Sequence, residues 1–234
     1  MTEEQWIACR KVDAPLWFLG DARKVARSPK GRRKLRLFAC ACCRQVWELI
    51  QGEDARRLVE LAEAWADGTL DQAELDRTRA AAEAAYQRAD LASRGHGSMA
   101  LPRRIGAALG AALQICNPDS RVAARVGSGF ARCAVGGMSG NPVWDEHEAA
   151  QAAVLRDIFG NPFRPVTADR SWLTSTVVSL AQGIYAERAF DRLPILADAL
   201  QDAGCEHADV LEHCRGPGPH ARGCWVVDLV LGNS

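Results

Sequence analysis

An all-α protein, a multi-helix bundle, is what this sequence predicts, and three observations carry the expectation. Apolar residues return at every third or fourth position along most of the chain. Caps and breakers of helical type punctuate it at helix-length intervals, and no segment alternates with a period of two for long enough to make a strand. Hydrophobic residues at 48% and charged residues at 25% of 234 are an ordinary globular mixture, which argues against disorder and fibrous repeats.

From Leu35 to Ile50 the stripe Leu35, Phe38, Cys42, Val46 and Leu49 occupies one helix face. Gly52 breaks it, and Leu58, Leu61, Ala62 and Trp65 form a second stripe ended by Gly68. Thr69 with Gln72 fits a capping box that opens an Ala-rich helix to about Ser93, with Leu75, Ala82 and Tyr86 inward. Between Gly95 and Gly140 glycine and alanine dominate. There Pro102 and Pro118 can each begin a helix and Gly136-Gly137 can end the second, which suggests two looser helices with a flexible exit.

Asn141-Pro142 reads as a cap and first-turn proline of a helix carrying Trp144, Ala150, Val154, Leu155 and Ile158 and stopping at Gly160. The two prolines of NPFRPVTAD (161–169) make it a rigid connector. Val177, Leu180, Ala181 and Ile184 follow at helical spacing, then a short helix from Pro194 to Leu200, a brief one from Val210 to Cys214, a Gly-Pro-Gly-Pro turn, and a terminal helix from Cys224 to Leu231. The expectation is about eight to ten helices, in an N-terminal half over 1–140 and a C-terminal half over 141–234.

Basic and acidic residues balance at 29 each, so no net field draws the chain onto nucleic acid or an anionic membrane. The N-terminus MTEEQWIACRKVDAPLWFLG lacks a basic region followed by an apolar core and does not read as a secretory signal. The longest apolar run, Ile105 to Cys116, is too short to span a bilayer. A cytoplasmic protein without a membrane partner is expected. Its nine cysteines, an odd number, should be reduced thiols serving as core residues, metal ligands or reactive groups.

Two cysteine segments carry candidate chemistry. Cys205, Cys214, His220 and Cys224 read C-x8-C-x5-H-x3-C, with His207 and His213 among them. These are zinc-type ligands, and the Gly-Pro turn can fold the last two back toward Cys214; the competing reading is that the cysteines fill the core and His220 caps the last helix. In LRLFACACCRQVW, Cys40 lies four residues from both Arg36 and Arg44, an arrangement that lowers a thiol pKa and suits a nucleophile. No base is placed locally, so simple packing competes there too. Cys40 and Cys43 are also candidate ligands for a metal completed by the C-terminal cysteines.

The basic run from Arg23 to Arg36 includes Arg27, Arg32, Arg33 and Lys34, candidate contacts for nucleic-acid phosphates or an acidic partner. Without interleaved aromatics or a recognition-helix pattern it reads first as a solvated loop leading into a helix. Trp144-Asp145-Glu146-His147-Glu148 offers carboxylates and an imidazole, but acids in a first helical turn are ordinarily explained by the helix dipole. GxxxxGK[ST], GxSxG and HExxH are missing.

RKLRLFACACCRQVWELI, LRDIFGNPFRPV, FDRLPILADALQDAGC and HCRGPGPHARGCWVVDLVLG together resemble a bacterial family found mostly in planctomycete-type genomes. The resemblance covers perhaps two thirds of the chain, skips residues 95–140, and implies no particular activity, substrate or cofactor. The leading functional expectation is therefore a non-enzymatic helical module that binds another protein, without a cofactor. The alternatives are a zinc-dependent or thiol-dependent protein, and nucleic-acid binding through 23–36.

Overall fold

The computed structural model describes residues 1–70, 72–97, 100–136 and 140–233. Among them the chain is all-α, with twelve α-helices and no strand. It divides into two compact units, Met1–Ala152 and Ala153–Ser234, and the division falls inside a helix rather than ahead of it. No helix among the described residues is long and apolar enough to cross a membrane.

The first unit opens with α1 (Glu3–Ala8) and α2 (Asp13–Trp17), two short helices beyond those expected. Next, α3 (Pro29–Arg44) starts earlier than its apolar stripe: the Ser28 hydroxyl accepts the Gly31 amide and Pro29 takes the first position. The basic stretch from Lys30 to Arg36 is thus helical, not a loop. A β-carbon on Gly31 would lie 1.9 Å from the Val25 carbonyl oxygen, so only glycine lets α3 touch the 3-10 turn Val25–Arg27.

α4 (Glu53–Ala66) and α5 (Gln72–Ser93) follow. The Thr69 hydroxyl donates to the Ala64 carbonyl at the end of α4; the expected capping box with Gln72 lies outside the described residues, which omit Asp71 and the Gln72 side chain. The Gly/Ala-rich section forms α6 (Leu101–Gln114) and α7 (Ser120–Val135), the latter capped by Asp119 two residues after the expected start. These helices are closely packed, not loose. Small side chains let backbones approach: a β-carbon on Gly110 would come within 2.6 Å of the Phe130 ring, and Gly127 faces Ile115 and Ala39. Of the expected exit, Gly136 is the C-cap and residues 137–139 lie outside the described residues.

α8 (Pro142–Phe159) begins as expected, with the Asn141 side chain accepting the Val143 amide. Its first turns carry a buried polar group. Arg132 donates to Gln151 at 3.1 Å and to Asp13 at 3.2 Å, with Glu148 at 3.9 Å. Burial, and then the Arg132 charge, lower His147 from its ordinary 6.5 to about 4. Between those two values the unfolded chain takes up a proton that the folded chain refuses, so stability falls as pH drops from about 6.5 to about 4. Melting temperatures measured across that window should fall less for His147→Gln than for the native chain.

The second unit takes the end of α8, then α9 (Ser175–Glu187), α10 (Leu193–Asp202), α11 (Ala208–Arg215) and α12 (Trp225–Leu231). Val177, Ala181, Ile184, Leu193, Leu196, Leu200, Val210 and Val226 make its core, joined by the fully buried Cys205, Cys214 and Cys224.

Candidate metal centre

Four side chains from separate parts of the second unit converge. Asp157 projects from the last turns of α8 and His213 from α11; His220 follows the Gly216–Pro219 turn, and Cys224 is the N-cap of α12. One ligand atom from each lies within 4.8 Å of all the others. His213 Nε2 is 3.1 Å from Asp157 Oδ1 and 3.2 Å from Cys224 Sγ, while His220 Nδ1 is 2.9 Å from the same Asp157 oxygen.

Further hydrogen bonds orient the set. The Ala221 amide donates to Asp157 Oδ2 at 2.8 Å, and His220 Nε2 lies 3.4 Å from the Gly216 carbonyl oxygen, a partner for its second ring proton. The His213 ring packs edge-on to His220 at 5.0 Å and against Trp225 at 5.2 Å. Gly218 has φ +84, and a β-carbon there would lie 3.0 Å from the His220 amide nitrogen and 3.1 Å from its ring. Gly218→Ala should therefore displace His220, so that any metal the group holds is bound about 10-fold or more weakly in a competition titration against a chromophoric chelator.

Asp157 and Cys224 are inaccessible, and the two imidazoles are partly covered. Burial alone would raise the Asp157 pKa, but hydrogen bonds from His213 and His220 and their charges bring it below the ordinary carboxylate value. Burial likewise lowers His220, yet the Asp157 hydrogen bond and charge prevail and raise it. Cys224 is pushed well up, first by burial and then by Asp157, against the backbone amides of Val227 and Val226, which favour the thiolate. A cation supplied to the centre would displace the Cys224 proton and offset the charge of the resulting thiolate and of the Asp157 carboxylate.

Of the four sequence-derived ligands, His220 and Cys224 belong to this group, and Cys205 and Cys214 do not. Those two lie in the unit's core; burial is the main reason that Cys214 is raised to about 12, followed by the Asp157 charge. Asp157 and His213 take their places. His213 was visible within the C-terminal segment, whereas Asp157 lies 63 residues before His220 and looks like a surface acid on an amphipathic helix.

Cys40 is buried, and burial, reinforced by Cys43, outweighs Arg36 and Arg44 and raises its pKa well above the ordinary thiol value. That corrects the expectation of an activated thiol: the flanking guanidiniums are present, but burial denies a thiolate its solvation. Arg36 instead donates to the carbonyls of Ile115 and Asn117 and covers the Trp65 ring. Cys40 and Cys43 sit on α3 in the first unit, whereas the converging group is drawn entirely from the second.

Of the basic residues, Arg33 pairs with Asp67 at 2.8 Å, Lys34 is half-buried, and Arg27 and Arg32 are exposed. The carboxylates after Trp144 serve local structure: Asp145 accepts the Gly140 amide and Glu148 lies beside Arg132. Comparison of the chain with protein-family models, with curated proteins and with solved structures finds no match.

Proposed function

We propose that the Ala153–Ser234 unit is a zinc-stapled helical unit, with the ion held by Asp157 Oδ1, His213 Nε2, His220 Nδ1 and Cys224 Sγ. The observation that carries this reading is the spacing of those atoms. Ligands ~2.0–2.3 Å from a common centre in a tetrahedron stand roughly 3.3–3.7 Å apart. The separations of 2.9, 3.1 and 3.2 Å need a slight expansion to reach that, and the other pairs, all within 4.8 Å, a contraction at most.

The donor set suits zinc: one thiolate, two imidazoles and one carboxylate, the two anions cancelling the ion's charge in a buried place. Four protein ligands leave no position for water or substrate, so the role is structural, not catalytic. The ion would tie the end of α8 to α11 and to the start of α12, and binding energy at such sites is folding energy. A small unit gains most from such a staple.

Elemental analysis of protein purified without chelator from zinc-supplemented medium should find one zinc per chain. Reconstitution of the stripped protein with cobalt(II) should produce a thiolate-to-cobalt charge-transfer absorption that Cys224→Ala eliminates. Absence of both stoichiometric zinc and the cobalt absorption would overturn the reading, as would preferential retention of copper with an intense visible band.

A further inference from the structure

A cleft of about 520 Å³ in the first unit is bounded by residues 20–27, by Arg32 on α3 and by the residues that lead into α7. We propose that this cleft binds a small phosphate-bearing molecule of the diphosphate class. Lys24, Arg27, Arg32 and Arg121 line it against only Asp21 and Asp119, a local positive excess in a chain of zero net charge. The cations are partly fixed in place. Arg32 Nη1 donates to the carbonyls of Ala26 and Arg27 at 3.2 Å, leaving further guanidinium protons for an anion, and Arg121 is held by Asp119 at 2.9 Å.

The end of α7 is not by itself the site, since Asp119 already accepts the Arg121 amide. What sets the cleft apart is convergence: Lys24 and Arg27 from the 20–27 segment, Arg32 from α3 and Arg121 from α7 all border one cavity. Lys24 adopts φ 53, a left-handed conformation costly for a side-chain-bearing residue. Size favours a small ligand: the volume lies in the usual range for small-molecule sites, whereas nucleic acid is held by a long track of phosphate contacts.

The test is calorimetric titration of the full chain with inorganic pyrophosphate, with ADP and with a single-stranded oligonucleotide, each at low and moderate salt. Saturable 1:1 binding of pyrophosphate and ADP is expected. Arg27→Ala with Arg32→Ala should weaken it at least about tenfold. Asp21→Asn, an exposed position with no fold to disturb, should tighten it by removing a like charge; this arm stands even if the double variant misfolds. The proposal is overturned by the absence of saturable pyrophosphate binding, by an affinity indifferent to Asp21→Asn, or by an oligonucleotide bound more tightly than ADP with a steep loss of affinity in salt.

Discussion

Replacing Asp157 by alanine should cost the second unit about 3–5 kcal/mol and abolish stoichiometric zinc retention. The carboxylate is fully buried and takes three hydrogen bonds, from His213, His220 and the Ala221 amide. Alanine leaves that amide without its partner and two imidazoles without the carboxylate they bond to. Asp157→Asn separates the contributions. It preserves volume and can still accept one or two hydrogen bonds, so it should recover part of the stability while failing to supply the negative oxygen that a divalent ion requires. Hydrogen exchange of the α11 and α12 amides, with and without zinc, reads both effects. If the native chain and Asp157→Ala exchange alike with zinc present, the aspartate neither holds the ion nor fastens the helices.

A loss of similar size, about 3–4 kcal/mol, is expected in the first unit for Arg36→Ala. Arg36 is 5% exposed, and its guanidinium donates to the carbonyls of Ile115 and Asn117 and stacks on Trp65 with its carbon 3.8 Å from the ring centroid. One side chain on α3 thus satisfies the chain beyond α6 and covers an aromatic face of α4. Arg36→Lys should rescue little, because a single ammonium cannot reach both carbonyls in a plane that also lies over the indole. Arg36→Met restores the packed stem without the donors and divides packing from hydrogen bonding. Urea denaturation of the three variants ranks them; a lysine variant as stable as the native chain would contradict the forked geometry.

Much of the helical layout was legible because periodicity and caps are local. Leu58, Leu61 and Ala62 face inward as spaced, Pro142 opens α8, and the last helix, expected from Cys224, starts one residue later at Trp225. What was not legible depends on neighbours distant in the chain. Arg36 and Arg44 flank Cys40 in sequence, but whether they activate it depends on water, and burial decides otherwise. Gly106 and Gly110 read in sequence as positions that permit close helix packing, but what fills the space, the Phe130 ring at Gly110, is set by a neighbour distant in the chain. His220 and Cys224, with His213 beside them, were identifiable by residue type, but Asp157 was not: proximity in sequence favoured Cys205 and Cys214, whose sulfurs complete the apolar interior, over an aspartate some sixty residues earlier.

Gly160 ends α8 at φ +64, and a β-carbon there would press to 3.1 Å on the Trp225 ring. That bare position works as a spacer of zero thickness. Trp225 follows Cys224 directly and Gly160 follows Asp157 by three residues, so the gap between sulfur and carboxylate is gauged by an indole resting on naked main chain. Even a methyl group there would act as a shim, prising apart two donors that have no covalent reason to be near each other.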